Sequence, residues 1–182
     1  MKNVTILNFS SRENGNCAKI ADFIKNHHSE DAVEILQIDA HFAACGGCDY
    51  ECLQPGVMCP NVDDRQKQIM DRLLQSDLTY QIIPNYCGFP CANFFTFNER
   101  SIGFFNMDRN VMAQYMAVEK RFVIVSNSEN ASFDQAMRLQ TKGEPDVIYL
   151  KTSKYGKRST AGDLMDSSDA QSDLATFLTK SR

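Results

Sequence analysis

The sequence predicts a single α/β domain built on a doubly wound parallel sheet, and three observations predict it. Five short apolar runs, each ended by polar, Gly or Pro residues, read as buried strands. Segments with apolar residues at helical spacing lie between them, and strands that alternate with helices form parallel sheets covered on both faces. No repeat, low-complexity stretch or linker divides the 182 residues, a length that suits one domain burying roughly 70% of its unfolded surface.

The first strand is Val4–Asn8 (VTILN) and the first helix runs from Asn16 to Asn26, with Ile20, Phe23 and Ile24 on one face. Val33–Ile38 alternates as the second strand. A cysteine-rich loop at 42–60 follows, and Asp63–Ser76 places Ile69, Met70, Leu73 and Leu74 on one helical face, with Asp63 or Asn61 as N-cap. The third strand, Leu78–Pro84, is expected to stop at its proline. A helix is predicted over Ala92–Arg100, with less regular structure through Tyr115. Arg121–Ser126 (RFVIVS) is the fourth strand, Ala131–Leu139 a helix, Val147–Leu150 the fifth strand and Ser168–Lys180 the closing helix. In such sheets ligands bind beyond the carboxyl ends of the strands, at the topological switch point, so the loops after strands one, three and four are the ones to inspect.

Composition narrows the function classes. A net charge of −4 argues against a nucleic-acid partner, because such domains gather Lys and Arg on one face. The apolar run within Met1–Phe9 is too short for a signal or membrane segment, and no later stretch is long and apolar enough to span one, so no membrane partner is expected. Seven cysteines make an odd number in a chain too long for a secreted disulfide scaffold, which points to a reducing cytoplasmic setting. Four of them, Cys45, Cys48, Cys52 and Cys59, form a C-x2-C-x3-C-x6-C series whose soft thiolates suit an iron-sulfur cluster, a zinc ion or no metal at all.

The loop FSSRENGNC after strand one puts Ser10, Ser11, Arg12, Asn14, Gly15, Asn16 and Cys17 at a helix N-terminus, where backbone N–H groups and the helix dipole favour a phosphate. The alternative is an ordinary polar loop with Asn16 as helix cap. The spacing is neither G-x-G-x-x-G nor G-x-x-x-x-G-K-[ST], so dinucleotide and triphosphate loops do not fit. The second loop, PNYCGFPCANFFTFNER from Pro84 to Arg100, offers Pro84, Asn85, Tyr86, Cys87 and Gly88. Backbone N–H groups and an aromatic wall of this kind suit a flat heteroaromatic ring; the bland reading is a core tyrosine beside a plain turn.

These two segments together resemble the flavodoxin-like NAD(P)H-dependent FMN reductases. Ser10, Arg12, Asn14, Gly15 and Asn16 match the family's G-S-P-R-x-N-G-N-T loop, with Phe9, Ser11 and Cys17 in place of its Gly, Pro and Thr. Pro84, Tyr86, Gly88, Ala92, Phe97 and Arg100 match its P-x-Y-x-G-x-x-S-A-x-x-K-x-F-x-D-R segment; Cys91, Phe95 and Glu99 depart from it. The resemblance implies a five-stranded sheet of order 2-1-3-4-5, an FMN whose phosphate lies at Ser10–Cys17 and whose ring lies at Pro84–Gly88, and Ser126 beside the flavin after strand four. The loss of the Thr hydroxyl at Cys17 removes one phosphate donor. Cys87 and Cys91 are read as small buried hydrophobes rather than catalytic thiols.

Three functions follow from the resemblance. The first is an FMN-dependent oxidoreductase that takes electrons from NAD(P)H and passes them to a small acceptor such as a quinone or free flavin. The second is an iron-sulfur flavoprotein that adds a [4Fe-4S] cluster at Cys45, Cys48, Cys52 and Cys59, although the usual spacing is C-x2-C-x2-C. The third is a degenerate binding module that kept the fold without the flavin, motivated by Phe9, Cys17 and the Ser126–Asn130 loop. Phe94, Phe95, Phe97, Phe104 and Phe105 exceed what one helix can bury inward, which predicts a homodimer or higher homo-oligomer. Lys151, Lys154, Lys157 and Arg158 read as a solvated basic loop, with NADPH phosphates as the alternative. His27, His28 and His41 have no partner at a ligand spacing and read as surface or loop residues.

Overall fold

The computed structural model describes residues 1–38, 44–46, 48–60, 65–127 and 131–180. Its strands are β1 (Asn3–Asn8), β2 (Ala32–Gln37), β3 (Leu78–Tyr86), β4 (Phe89–Pro90), β5 (Glu119–Ser126) and β6 (Asp146–Lys151). Its helices are α1 (Asn16–His27), α2 (Arg65–Leu74), α3 (Ala92–Met107), α4 (Arg109–Ala117), α5 (Ala131–Arg138) and α6 (Ser168–Leu178). The parallel sheet runs β2-β1-β3-β5-β6, with Val4 opposite Val33 and Leu78, Leu78 opposite Glu119, and Arg121 opposite Asp146. The expected order 2-1-3-4-5 therefore needs correction by one extra strand: β4 pairs antiparallel with the end of β3.

That extra strand exists because β3 does not stop at Pro84. Ile82 accepts from Phe9 N on the β1 side at 3.0 Å, so by alternation Pro84 also faces that side, where β1 has already ended at Asn8. Its missing N–H therefore breaks no ladder. The strand continues to Tyr86 and reverses through Cys87 and Gly88, whose φ angles of 54° and 85° are those of a type I′ hairpin turn.

Alternation along each strand sorts the core into two layers. Val4, Ile6, Tyr80, Ile82, Val123 and Val125 pack under α1 and α6, while Leu7, Ile83, Phe122 and Ile124 pack under the helices of the other face. Arg121 anchors α6 to the sheet. Its buried guanidinium donates to the Leu178 and Lys180 carbonyls at 2.8 and 2.7 Å and pairs with Glu119 and Asp146.

The predicted helix at Ala92–Arg100 extends to Met107, then breaks where Asp108 caps α4 by accepting from Asn110 N at 2.8 Å. This length takes in all five phenylalanines singled out above. Phe94, Phe97 and Phe104 are buried within the chain, and Phe95 is the one that stands exposed, at 49%. His28, in the turn that ends α1, is held by Asp31 at its Nδ1 and by the Tyr80 hydroxyl at its Nε2, both at 2.9 Å. The proposed caps Asn61 and Asp63, and His41, lie outside the described residues. Among the described residues no helix is long and apolar enough to cross a membrane.

Candidate functional site

The loop after β1 is folded by its own side chains. Asn8 Oδ1 accepts from Ser10 N at 3.0 Å, Ser10 Oγ accepts from Arg12 N at 3.2 Å, and the Arg12 carbonyl accepts from Gly15 N at 3.4 Å. These turns deliver the chain to α1 with Gly15 as N-cap, so Asn16 is the first helical residue and not the cap. Gly15 has no side chain to cover the N–H groups of the first turn, which have no intrahelical acceptor. The α1 N-terminus thus points its dipole and donors outward from the carboxyl end of β1.

The β3 end is braced in the same manner. Asn85 Nδ2 donates to Ser126 Oγ at 2.7 Å, joining β3 to β5, and its Oδ1 accepts from Gly88 N at 2.8 Å, closing the hairpin. Tyr86 and Cys87 are left exposed above the sheet. Asn93, near the start of α3, donates to the Phe9 and Ile38 carbonyls at 3.1 and 3.0 Å and so fixes α3 against the first loop.

Between the two loops lies a cavity of about 240 Å³ at the carboxyl ends of the strands. Ser10, Arg12, Gly15, Asn16, Cys17, Pro84, Asn85, Tyr86 and Cys87 line it, nine of the twelve positions named from the sequence. Asn14, Gly88 and Ser126 do not. Asn14 is exposed, Gly88 serves the turn, and buried Ser126 is spent on Asn85. Val125, Asn127, Ser159 and Thr160 also line the cavity. Asn127 is one residue past the predicted Ser126, and strand alternation turns the one inward and the other outward. Ser159 and Thr160 carry no motif, and only their position in space reveals them.

Burial raises both thiols near this cavity. Cys17 is pushed up to about 12, with Cys91 beside it adding to the effect, and Cys91 is raised as well. Both remain protonated, and for Cys91 this fits the reading that it packs rather than reacts; Cys91 Sγ sits 3.3 Å from the Phe9 carbonyl. Cys87 departs from that reading, since it is exposed and in the left-handed region.

The four-cysteine series encloses a second cavity, of about 180 Å³, against α3. Cys45, Cys48, Cys52 and Cys59 all line it, with Tyr50, Leu53, Glu99 and Ile102. Gly103 forms its floor: a Cβ there would stand 3.2 Å from Cys59 Cβ and 3.7 Å from Cys52 Cβ. Burial raises the Cys45 and Cys52 thiols, reinforced by their cysteine neighbours and, for Cys45, by Glu99. Among the described residues no three His, Cys, Asp or Glu side chains are grouped so as to hold a metal ion. The basic loop is engaged with carboxylates: Lys154 pairs with Asp173 at 2.6 Å and Lys157 with Asp163 at 3.7 Å.

Fold and cavity together define an α/β protein of the flavodoxin-like kind with a cavity at its strand ends. Solved structures share this architecture over nearly the whole chain. The Trp repressor binding protein from Bacillus subtilis superposes with a TM-score of 0.66 at 15% identity, covering 98% of this chain and 99% of that one. The azoreductase from Bacillus anthracis gives 0.62 at 11% identity, covering all of both chains. FerB, a flavoenzyme NAD(P)H:(acceptor) oxidoreductase from Paracoccus denitrificans, gives 0.58 at 12% identity, covering 98% and 96%. At these identities the likeness is one of fold. No family model matches the sequence, and no curated protein does.

Proposed function

We propose that this chain is a flavin-dependent oxidoreductase that binds FMN in the cavity between the first loop and the β3–β4 hairpin, takes electrons from NAD(P)H and passes them to a small acceptor such as a quinone or free flavin. One observation carries the reading. Two sequence segments about seventy residues apart, each matched to an FMN-binding pattern, line one cavity at the strand carboxyl ends. Structural neighbours titled azoreductase and NAD(P)H:(acceptor) oxidoreductase support it.

The residues present fit the cofactor. The uncapped start of α1 and the Arg12 guanidinium suit the phosphate, and Pro84–Cys87 suits the ring. Bound flavin supplies hydride and electron-transfer chemistry, which needs no nucleophile from the protein. This chain's part is to orient: Asn85 holds the hairpin against β5 through Ser126, and Asn8 and Ser10 hold the phosphate loop in shape. The cavity is smaller than the roughly 300 Å³ at which ligand pockets usually begin, so a ring held there would project partly outside it. Tyr86 on its wall is exposed, as are Phe89 opposite it in the hairpin and Phe95 on α3, and a second copy of the chain is the cover proposed for them.

The test is an absorption spectrum of the purified protein, followed by FMN titration and anaerobic addition of NADH or NADPH. Tight FMN and its bleaching by nicotinamide are expected. A colourless protein that takes up no FMN is the degenerate binding module instead.

A second reading adds a [4Fe-4S] cluster, favoured by one observation: four cysteines line one largely apolar cavity floored by Gly103. Each thiolate of such a cluster serves a different iron, so the sulfurs need not be grouped as single-ion ligands. Helix α3 starts beside the phosphate loop at Asn93 and passes the cysteine cavity at Glu99–Gly103, about 10 Å further on at helical rise. Anaerobic purification with iron and acid-labile sulfide assays decides the matter, and absence of iron ends it.

A further inference from the structure

The loop that follows β6 folds back across the start of α1, and its attachment is specific. Asn16 grips it with both ends of its carboxamide: Oδ1 accepts from Leu164 N at 2.9 Å, and Nδ2 donates to the Ser159 carbonyl at 3.1 Å. Arg12 Nη2 donates to the Thr160 carbonyl at 2.8 Å. Gly162, with φ of 74°, lets the loop press on the first one, since a Cβ there would come within 3.0 Å of the Asn14 carbonyl. Lys157 and Asp163 pair across the loop.

This docking sets the Ser159 and Thr160 side chains on the wall of the cavity that also holds Arg12, Gly15, Asn16 and Cys17. Ser159 is further oriented from below. The Thr152 hydroxyl donates to Asn127 Oδ1, which leaves Asn127 Nδ2 to donate to Ser159 Oγ at 3.2 Å. With its oxygen accepting from Asn127, the Ser159 O–H proton can be given to a ligand.

In the first loop the buried Ser10 hydroxyl is turned to the Cys17 side chain, and position 17 itself offers only a thiol, a poor donor. We propose that the 156–163 loop is a third binding element of the site, in which the Ser159 hydroxyl donates to the phosphomonoester of the bound ligand and so selects the phosphorylated ligand over its dephosphorylated form. This rests on the flavin reading above and adds to it a residue outside both matched segments. One of the five N–H groups of Arg12 is used on Thr160, which ties the cation to the same wall while its other donors remain for the phosphate.

The experiment titrates wild type, Ser159→Ala and Ser159→Thr with FMN and, separately, riboflavin by fluorescence quenching, and records the 31P resonance of bound FMN. Thermal melts that match wild type establish that the variants are folded. Expected are an FMN Kd about tenfold higher in Ser159→Ala, an unchanged riboflavin Kd, recovery in Ser159→Thr and a shifted 31P resonance in the alanine variant. If wild type binds FMN and Ser159→Ala binds it within twofold, or loses riboflavin equally, the inference falls while the flavin reading stands. If wild type binds no FMN, both fall.

Discussion

Asn16 and Leu164, 148 residues apart in sequence, are joined by a buried hydrogen bond of 2.9 Å from the Leu164 amide to the Asn16 carboxamide oxygen. The start of α1 is thereby tied to the loop before α6, and the phosphate end of the candidate site acquires a wall. Asn16→Ala leaves that buried N–H without an acceptor and releases the Ser159 carbonyl, at an expected cost of about 2 kcal/mol. Asn16→Asp keeps the acceptor for Leu164 N but sets a carboxylate oxygen against the Ser159 carbonyl in a buried position, so it destabilises as well. Urea unfolding of the three proteins at pH 7 measures both.

Lys120 is 2% exposed, with its ammonium bonded to the Tyr115 and Val118 carbonyls and set 4.2 Å from the centre of the Tyr115 ring. Burial lowers its pKa from 10.5 to about 8. Between these values the unfolded chain holds a proton that the folded chain has given up, so stability rises with pH through this window. The cost of charging Lys120 is fully present below pH 8 and fades toward 10.5, to the order of 3 kcal/mol at most. Lys120→Met is expected to lack this rise. Urea midpoints of both proteins from pH 7 to 10 check it, the difference between them cancelling the other titrating groups.

Cys87 is exposed at the first central position of the type I′ turn, whereas Cys17 and Cys91 are buried with their thiols raised. Iodoacetamide labelling followed by peptide mass spectrometry is expected to mark Cys87 well before those two, and bound FMN is expected to slow it. Cys87→Asn places a residue that type I′ turns favour at a position where Cys is strained, so stability stays level or rises by about 0.5 kcal/mol. Early labelling of Cys17 would contradict the packing described for it.

Gly103 leaves the space that the four cysteines share, and Gly103→Val fills it with methyl groups against Cys52 and Cys59. If a cluster occupies this cavity, the variant loses iron and sulfide after anaerobic reconstitution while its FMN Kd stays within twofold of wild type. Iron retained at the wild-type level would place it elsewhere.

Much of the architecture was legible in the sequence because it is written locally. Arg121–Ser126 could only be a buried strand, and the polar run from Ser10 to Asn16 could only be a loop that opens a helix. Pro84 misled for a reason outside its own segment: a proline ends a central strand only where its missing N–H faces a partner, and here β1 has already stopped. Ser126 and Asn127 show the same dependence, since sheet alternation turns Asn127 to the cavity wall and Ser126 to Asn85. Of the five phenylalanines that predicted an outer interface, Phe94, Phe97 and Phe104 are buried within the chain and Phe95 is exposed, a division that depends on how α3 docks.

By itself the sequence determined the succession of strands and helices, the two loops that flank the cavity and the closeness of the four cysteines along the chain. These are properties of hydrophobic period, turn chemistry and spacing, which neighbouring residues settle among themselves. Tertiary structure alone decided that Ser159 and Thr160 face Arg12 and Asn16, that Arg121 is held under α6 at the foot of β5, and that Gly103 floors the cysteine cavity. Each depends on segments that meet only when the sheet closes and the helices dock, and a contact made across about forty to a hundred and fifty residues leaves no periodic trace in either partner.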